Sequence, residues 1–122
     1  MIDPALILEV IESFYAKATK DFLIGYHFRN IQDFETHIPR IAVFWEVQLN
    51  GSTERKEELP FNLISVHGPL GIKRGELGRW ATLFAQTLQE HQDKLGPIII
   101  SKWNEKVEFF KNKLEQKLIR PS

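Results

Sequence analysis

Apolar side chains recur three and four residues apart along almost the whole chain, which is the period of an α-helix. Residues 4 to about 20 carry this spacing most clearly, and Asp3 and Pro4 supply a capping side chain and a proline suited to the first helical position. No segment has the apolar and polar alternation of a half-buried β-strand. The sequence therefore predicts an all-α fold.

Three further long helices and one or two short ones are predicted. The long ones cover residues from about 33 or 36 to 49, then 75 to 94 and 97 to 119, and a short one covers 22 to 30. Pro39 allows two interpretations: it lies in the first turn of its helix, where a missing N–H is tolerated, or the helix is kinked just after His37. Residues 52 to 59 are predicted to form a solvated connection, and residues 61 to 67 a short helix entering the core.

Length and composition exclude several classes of protein. A chain of 122 residues predicts a single domain over residues 1–122. Sixteen basic and sixteen acidic side chains cancel, which argues against a nucleic-acid partner. No apolar run reaches the roughly 20 residues of a membrane span, and the N-terminus lacks the basic region of a signal peptide, so we expect a cytoplasmic protein without a membrane partner. The absence of cysteine excludes disulfides, thiolate ligation and c-type haem attachment.

His67 is the candidate metal ligand. It follows the largely apolar segment 63–66 and precedes Gly68 and Pro69. A neutral imidazole in an apolar pocket is what a haem iron needs as its protein ligand. Nine Phe, three Trp and two Tyr exceed what a minimal helical core requires, so we expect some of these rings to line a ligand.

Several aromatic residues and two histidines stand in an order that resembles the truncated haemoglobins, and most closely their group III. The residues that carry the resemblance are Phe14-Tyr15, Asp21, Gly25, Phe28, His37-Ile38-Pro39, Phe44-Trp45, His67, Arg79-Trp80 and Leu83-Phe84. The resemblance covers roughly residues 8 to 90, about two thirds of the chain.

This resemblance implies a truncated globin-like two-over-two helical sandwich that encloses haem b. The implied haem-binding residues are His67, Phe28, Tyr15, His37, Arg40, Phe44 and Trp80, with His67 as the iron ligand. Tyr15, His37 and Trp80 match the positions on the ligand side of the haem, where a phenol O–H or an indole N–H can donate to a diatomic ligand that gains partial negative charge. Phe28 matches a ring wedged against the haem face, and Arg40 is expected to pair with a propionate.

Each of these assignments has a structural alternative. His67 is also explained as a buried core histidine, Trp80 as core filling, and Arg40 as part of a solvated helix face. His37 is expected in the pocket, at a gate or on the helix surface. Because Tyr15 follows Phe14, we expect one of the two rings to face away from the core. Trp45 and Trp103 are assigned to packing, and His27 and His91 to surface or half-buried positions.

The predicted function is the binding of dioxygen and other diatomic gases, nitric oxide and carbon monoxide among them, for storage, delivery or sensing. The resemblance also accommodates a haem enzyme, either a nitric oxide dioxygenase or a peroxidase-like protein, which would need an electron-donating reductase as partner. A haem-free helical interaction module is the alternative from a different class.

Overall fold

The structure is a computed structural model that describes residues 2–29, 34–51 and 72–118, and it confirms the all-α prediction for them. The helices, numbered here in chain order, are α1 (Pro4–Ala18), α2 (Gly25–Arg29), α3 (Phe34–Asn50), α4 (Arg74–Glu90), α5 (Gln92–Leu95) and α6 (Pro97–Leu118). None of the described helices is long and apolar enough to cross a membrane.

Helix α1 begins where the sequence predicts. The Asp3 carboxylate accepts a hydrogen bond from the backbone N–H of Ala5 at 2.9 Å, and Pro4 occupies the first helical position. The expectation that either Phe14 or Tyr15 faces away from the core is wrong, because their exposed fractions are only 2 % and 8 %. Helix α1 packs against both α3 and α4, so the buried arc of its surface is wide enough to include two consecutive residues.

Helix α3 begins at Phe34 and continues through Pro39, which is its sixth residue. Pro39 therefore lies beyond the first turn, and the first of the two interpretations of this proline is wrong. The proline removes one backbone hydrogen bond from the helix. The helix nevertheless continues, because Ile41, Trp45 and Leu49 form a buried face after the proline, and burial of such a face supplies most of the stability of a helix in a protein.

The helix predicted over residues 75 to 94 is divided in two. Helix α4 ends at Glu90, His91 leaves the helical conformation, and the short α5 follows. The imidazole Nδ1–H of His91 donates to the carbonyl of Thr87 at 2.8 Å and so bonds to the last turn of α4. Gly96 then adopts a φ of 80°, which favours glycine, and allows the chain to turn into α6.

A cluster of aromatic rings fills the space between α3, α4 and α6. The ring centroids of Trp45 and Phe84 are 5.3 Å apart, those of Phe84 and Trp103 5.7 Å, and those of Trp45 and Trp103 5.8 Å. Trp103 has no exposed surface and Trp45 only 3 %. The assignment of these two tryptophans to packing is confirmed.

Because Trp103 is fully buried, Trp103→Ala should lower the free energy of unfolding by about 3–5 kcal/mol, the usual effect of removing a large ring from a core. Phe109→Ala on the same helix is the matched control, because that ring is 58 % exposed and its removal should cost about 0.5 kcal/mol or less. Urea unfolding of both variants measures the two values. Equal losses would contradict the position of Trp103 in the core.

Candidate functional site

Tyr15 and His37 form a polar pair between α1 and α3. The Tyr15 hydroxyl lies 2.8 Å from Nε2 of His37, although the two residues are 22 positions apart in the sequence. Tyr15 is buried and His37 is half-buried. Burial raises the pKa of Tyr15 well above its usual value, so the phenol keeps its proton at any physiological pH.

Aromatic rings surround Tyr15 on several sides. Phe28 of α2 meets the Tyr15 ring edge to face with centroids 5.3 Å apart, and Phe34 of α3 does so at 6.0 Å. Phe14 adds a third edge contact at 5.9 Å. Three of the predicted site residues, Tyr15, His37 and Phe28, therefore lie together. Phe34 was missed, although its position three residues before His37 puts both on neighbouring positions of one helix face.

The direction of the hydrogen bond within the pair decides what the phenol can do. A phenol has one proton, and His37 Nε2 either accepts it or, when it carries its own proton, donates to the Tyr15 oxygen. In the second arrangement the hydroxyl proton of Tyr15 can be directed to another acceptor. The pair can thus serve either as a closed internal contact or as a hydrogen-bond donor to a ligand.

Trp80 and Phe44 are both half-buried and contact other rings. Trp80 meets Phe84 at 6.0 Å, and Phe84 lies 4.9 Å from Phe14, so Trp80 is connected to the surroundings of Tyr15 through two rings. Phe44 lies seven residues after His37 on α3 and meets Phe110 at 5.1 Å. Both residues thus belong to the rim of the aromatic core rather than to its centre.

Two other predicted site residues complete the set. Arg40 is half-buried on α3. His67 lies outside the described residues, as do the predicted connection over residues 52 to 59 and the predicted short helix over 61 to 67. Within the part of the chain that the structure describes, no group of three or more His, Asp or Glu side chains is arranged to hold a metal ion.

Glu76 is the centre of a polar cluster that the sequence did not reveal. It is buried at the start of α4 and accepts hydrogen bonds from the Tyr26 hydroxyl, from Nε2 of His27 at 3.2 Å and from the backbone N–H of Lys73 at 2.8 Å. Burial alone raises the pKa of Glu76, but these hydrogen bonds outweigh it, and the net pKa is lowered. His27 is half-buried, as predicted, but it is also bonded to a carboxylate.

Asp21 and Arg79 form a second polar contact close to the first. Nε and Nη2 of Arg79 donate to one Asp21 oxygen at 3.0 and 2.8 Å, and the other oxygen accepts from the backbone N–H groups of Leu23 and Ile24. The hydrogen bond from Arg79 is the main cause of the lowered pKa of Asp21. The Arg79 guanidinium also lies 5.2 Å from the centre of the Phe22 ring, within cation–π range.

Comparison with known proteins assigns no family. The chain has no significant match to a protein-family model, a curated protein or a solved structure. The resemblance to the truncated haemoglobins therefore stays a prediction from the residues named above.

The lowered pKa of Asp21 predicts loss of stability in acid. A carboxyl whose pKa is depressed by folding stabilises the fold above its ordinary pKa, and this contribution is lost as the pH falls through the lowered value. Asp21→Asn should reduce the free energy of unfolding at neutral pH by about 1.5–3 kcal/mol, the usual worth of a hydrogen bond to a charged group. Between about pH 6 and about pH 3, the free energy of unfolding of Asp21→Asn should also fall less than that of the unaltered protein.

Urea unfolding at both pH values tests this, with Asp93→Asn as the control because Asp93 is exposed. An identical pH dependence in the two variants would argue against a stabilising Asp21 carboxylate.

Proposed function

We propose that the protein is a haem-binding truncated globin that binds dioxygen and other diatomic ligands, with His67 as the protein ligand of the iron. The carrying observation is the Tyr15–His37 pair: a protonated phenol and an imidazole 2.8 Å apart, in otherwise aromatic surroundings. Haem b, when bound, supplies the iron to which such gases bind.

The packing of the long helices supports the proposed two-over-two sandwich. Helix α1 packs against α3, and α4 packs against α6. The two pairs meet through α1 against α4 and α3 against α6. Two helix pairs in contact are the arrangement that such a sandwich requires.

The chemistry of the described residues fits one side of a haem. Phe28, Phe44 and Trp80 are half-buried rings packed at the edge of the core, and a planar porphyrin would cover their remaining apolar surface. Arg40, half-buried on α3, would pair with a propionate. His67 would bind the iron, so the chain would contribute an imidazole ligand, an aromatic wall and one cationic partner.

Tyr15 and His37 then have complementary roles. If Nε2–H of His37 donates to the Tyr15 oxygen, the hydroxyl proton of Tyr15 would be available to a diatomic ligand, whose partial negative charge it would stabilise. The raised pKa of Tyr15 keeps this proton in place. The surrounding rings exclude water, which strengthens the hydrogen bond.

The absorption spectrum of the purified protein tests the cofactor. A Soret band should shift on reduction and again on adding carbon monoxide, and it should be lost or altered in His67→Ala. His91→Ala is the matched control, because His91 is bonded to the carbonyl of Thr87 and should not affect the band. Absence of a Soret band, even after haem is added, would reject the globin function and favour a haem-free helical interaction module.

Tyr15→Phe should raise the dissociation rate of dioxygen from the protein by up to about tenfold, because one hydrogen bond is worth about 0.5–1.5 kcal/mol. Stopped-flow displacement of dioxygen by carbon monoxide measures this rate, and Phe109→Leu, at an exposed ring on α6, is the control. An unchanged rate in Tyr15→Phe would exclude the phenol as the donor to the ligand.

A further inference from the structure

We propose that Glu76 and Arg79 are positioning residues for the ligand site. They hold α2, and the turn over residues 21–24 that precedes it, against α4, and thereby fix the ring of Phe28 against Tyr15. The inference rests on the proposed function, since Phe28 and Tyr15 are residues of the proposed haem pocket. Neither Glu76 nor Arg79 is proposed to touch haem or ligand.

Helix α2 cannot hold its own position. It has five residues, far fewer than the roughly 12–15 that an isolated helix needs to be even marginally stable. Only Gly25 of the five is buried. Contacts with other elements must therefore decide where Phe28, the fourth residue of α2, directs its ring.

Glu76 supplies the first of these contacts. Tyr26 and His27, the second and third residues of α2, both donate to its carboxylate, one to each oxygen. His27 directly precedes Phe28 in the chain, so the bond at His27 restrains the backbone next to the Phe28 ring. The Lys73 N–H, bonded to the same carboxylate, joins this contact to the start of α4.

Arg79 supplies the second contact, one turn further along α4. It is bonded to Asp21, whose other oxygen accepts from the N–H groups of Leu23 and Ile24 in the turn that leads into α2. The Asp21 carbonyl also accepts from the N–H of Gly25 at 3.0 Å. Glu76 and Arg79 are three residues apart and so share one face of α4, which lets one rigid helix fix both ends of the segment.

Gly25 lets α2 start close to the backbone at the end of α1. A Cβ atom at this position would lie 3.1 Å from the Thr19 carbonyl oxygen and 3.3 Å from that of Ala18. Helix α2 therefore begins in close backbone contact with the end of α1. Held by α4 and bounded by α1, it has little freedom to shift, and Phe28 keeps its contacts with Tyr15 at 5.3 Å and Phe14 at 5.9 Å.

A positioning role explains why two carboxylates are buried here. Burying a charged group carries a desolvation cost, and apolar residues of similar volume are often equally stabilising. Hydrogen bonds, however, are directional, whereas apolar packing is not. Glu76 and Asp21 thus give α2 a defined orientation.

The chain contains only two tyrosines, Tyr15 and Tyr26, so nuclear magnetic resonance of ring-labelled tyrosine can follow Tyr15 by itself. The full-length chain is used, in the diamagnetic carbon monoxide-bound ferrous form where it carries haem. Tyr15→Phe identifies the Tyr15 signals as those that disappear from the spectrum, because the remaining signals then belong to Tyr26. Phe28→Leu removes the ring current of Phe28 from the surroundings of Tyr15. It therefore defines the direction in which the Tyr15 signals move when the Phe28 ring is displaced.

We expect Glu76→Gln to move the Tyr15 signals in the same direction as Phe28→Leu, by a smaller amount. Arg79→Gln should move the signals in the same direction. In Arg79→Lys, which keeps one charged donor, the signals should lie closer to those of the unaltered protein than in Arg79→Gln. Glu9→Gln is the control, because it breaks the exposed ion pair of Glu9 with Lys94 at 2.9 Å, six residues before Tyr15 on α1 and apart from the contacts of α2. Its Tyr15 signals should match those of the unaltered protein.

A merely stabilising role for Glu76 predicts a lower melting temperature with unshifted Tyr15 signals, and that result would overturn the proposal. If Glu76→Gln does not fold, Tyr26→Phe decides, since it removes one bond to Glu76 without changing charge and should shift the Tyr15 signals by itself. A shift in a chain that takes up no haem would support the positioning role while rejecting the haem function. A Soret band without a shift would reject the positioning role alone.

Discussion

Helix α1 is buried on two sides, and this double burial brings both Phe14 and Tyr15 into the interior. One side of the helix contacts α3 and the other contacts α4, so consecutive residues face different neighbours. Phe14 joins the core, where its ring lies 4.9 Å from that of Phe84. Tyr15 turns toward α3 and reaches His37. A helix buried on one side alone would have brought only one of these rings into the interior, and the polar pair would lie in water.

Polar groups inside the fold occur in two separate settings with different physical consequences. The Tyr15–His37 pair is neutral when the imidazole carries one proton, and it lies among rings that keep the phenol protonated. Glu76 and Asp21 are instead buried carboxylates with lowered pKa values, and each is bonded to donors from a different element. The first setting suits donation to a ligand. The buried carboxylates are suited to holding the backbone in one position, because a charged acceptor with several donors has few alternative geometries.

The sequence predicted those features that depend on local chemistry. Asp3 and Pro4 marked the start of α1, and the apolar spacing of α6 identified Trp103 as a packing residue. At Pro39 the local signal left two interpretations open, and the first-turn interpretation is wrong: the helix continues through the proline because burial of Ile41 and Trp45 outweighs the lost hydrogen bond. The division after Glu90 was missed for a similar reason, since spacing alone does not reveal the bond from His91 to the Thr87 carbonyl.

In the candidate site, too, some residues were predicted from the sequence and others were missed. The resemblance named Tyr15, His37 and Phe28 together, and the structure brings their side chains into contact. The carboxylate of Glu76 was not predicted, because its donors Tyr26 and His27 are about fifty residues away in the chain and no local pattern links them.

Pro39 has a further consequence for the local stability of α3. Because proline has no N–H, the carbonyl of Glu35 receives no bond from residue 39, and the backbone ladder is one bond short just beyond the turn that carries Phe34 and His37. That turn is thus held more by its side-chain contacts than by the helix itself. Its residues are half-buried or exposed, whereas Trp45 and Leu49 further along α3 are buried, so opening this turn exposes less apolar surface than opening the buried stretch does.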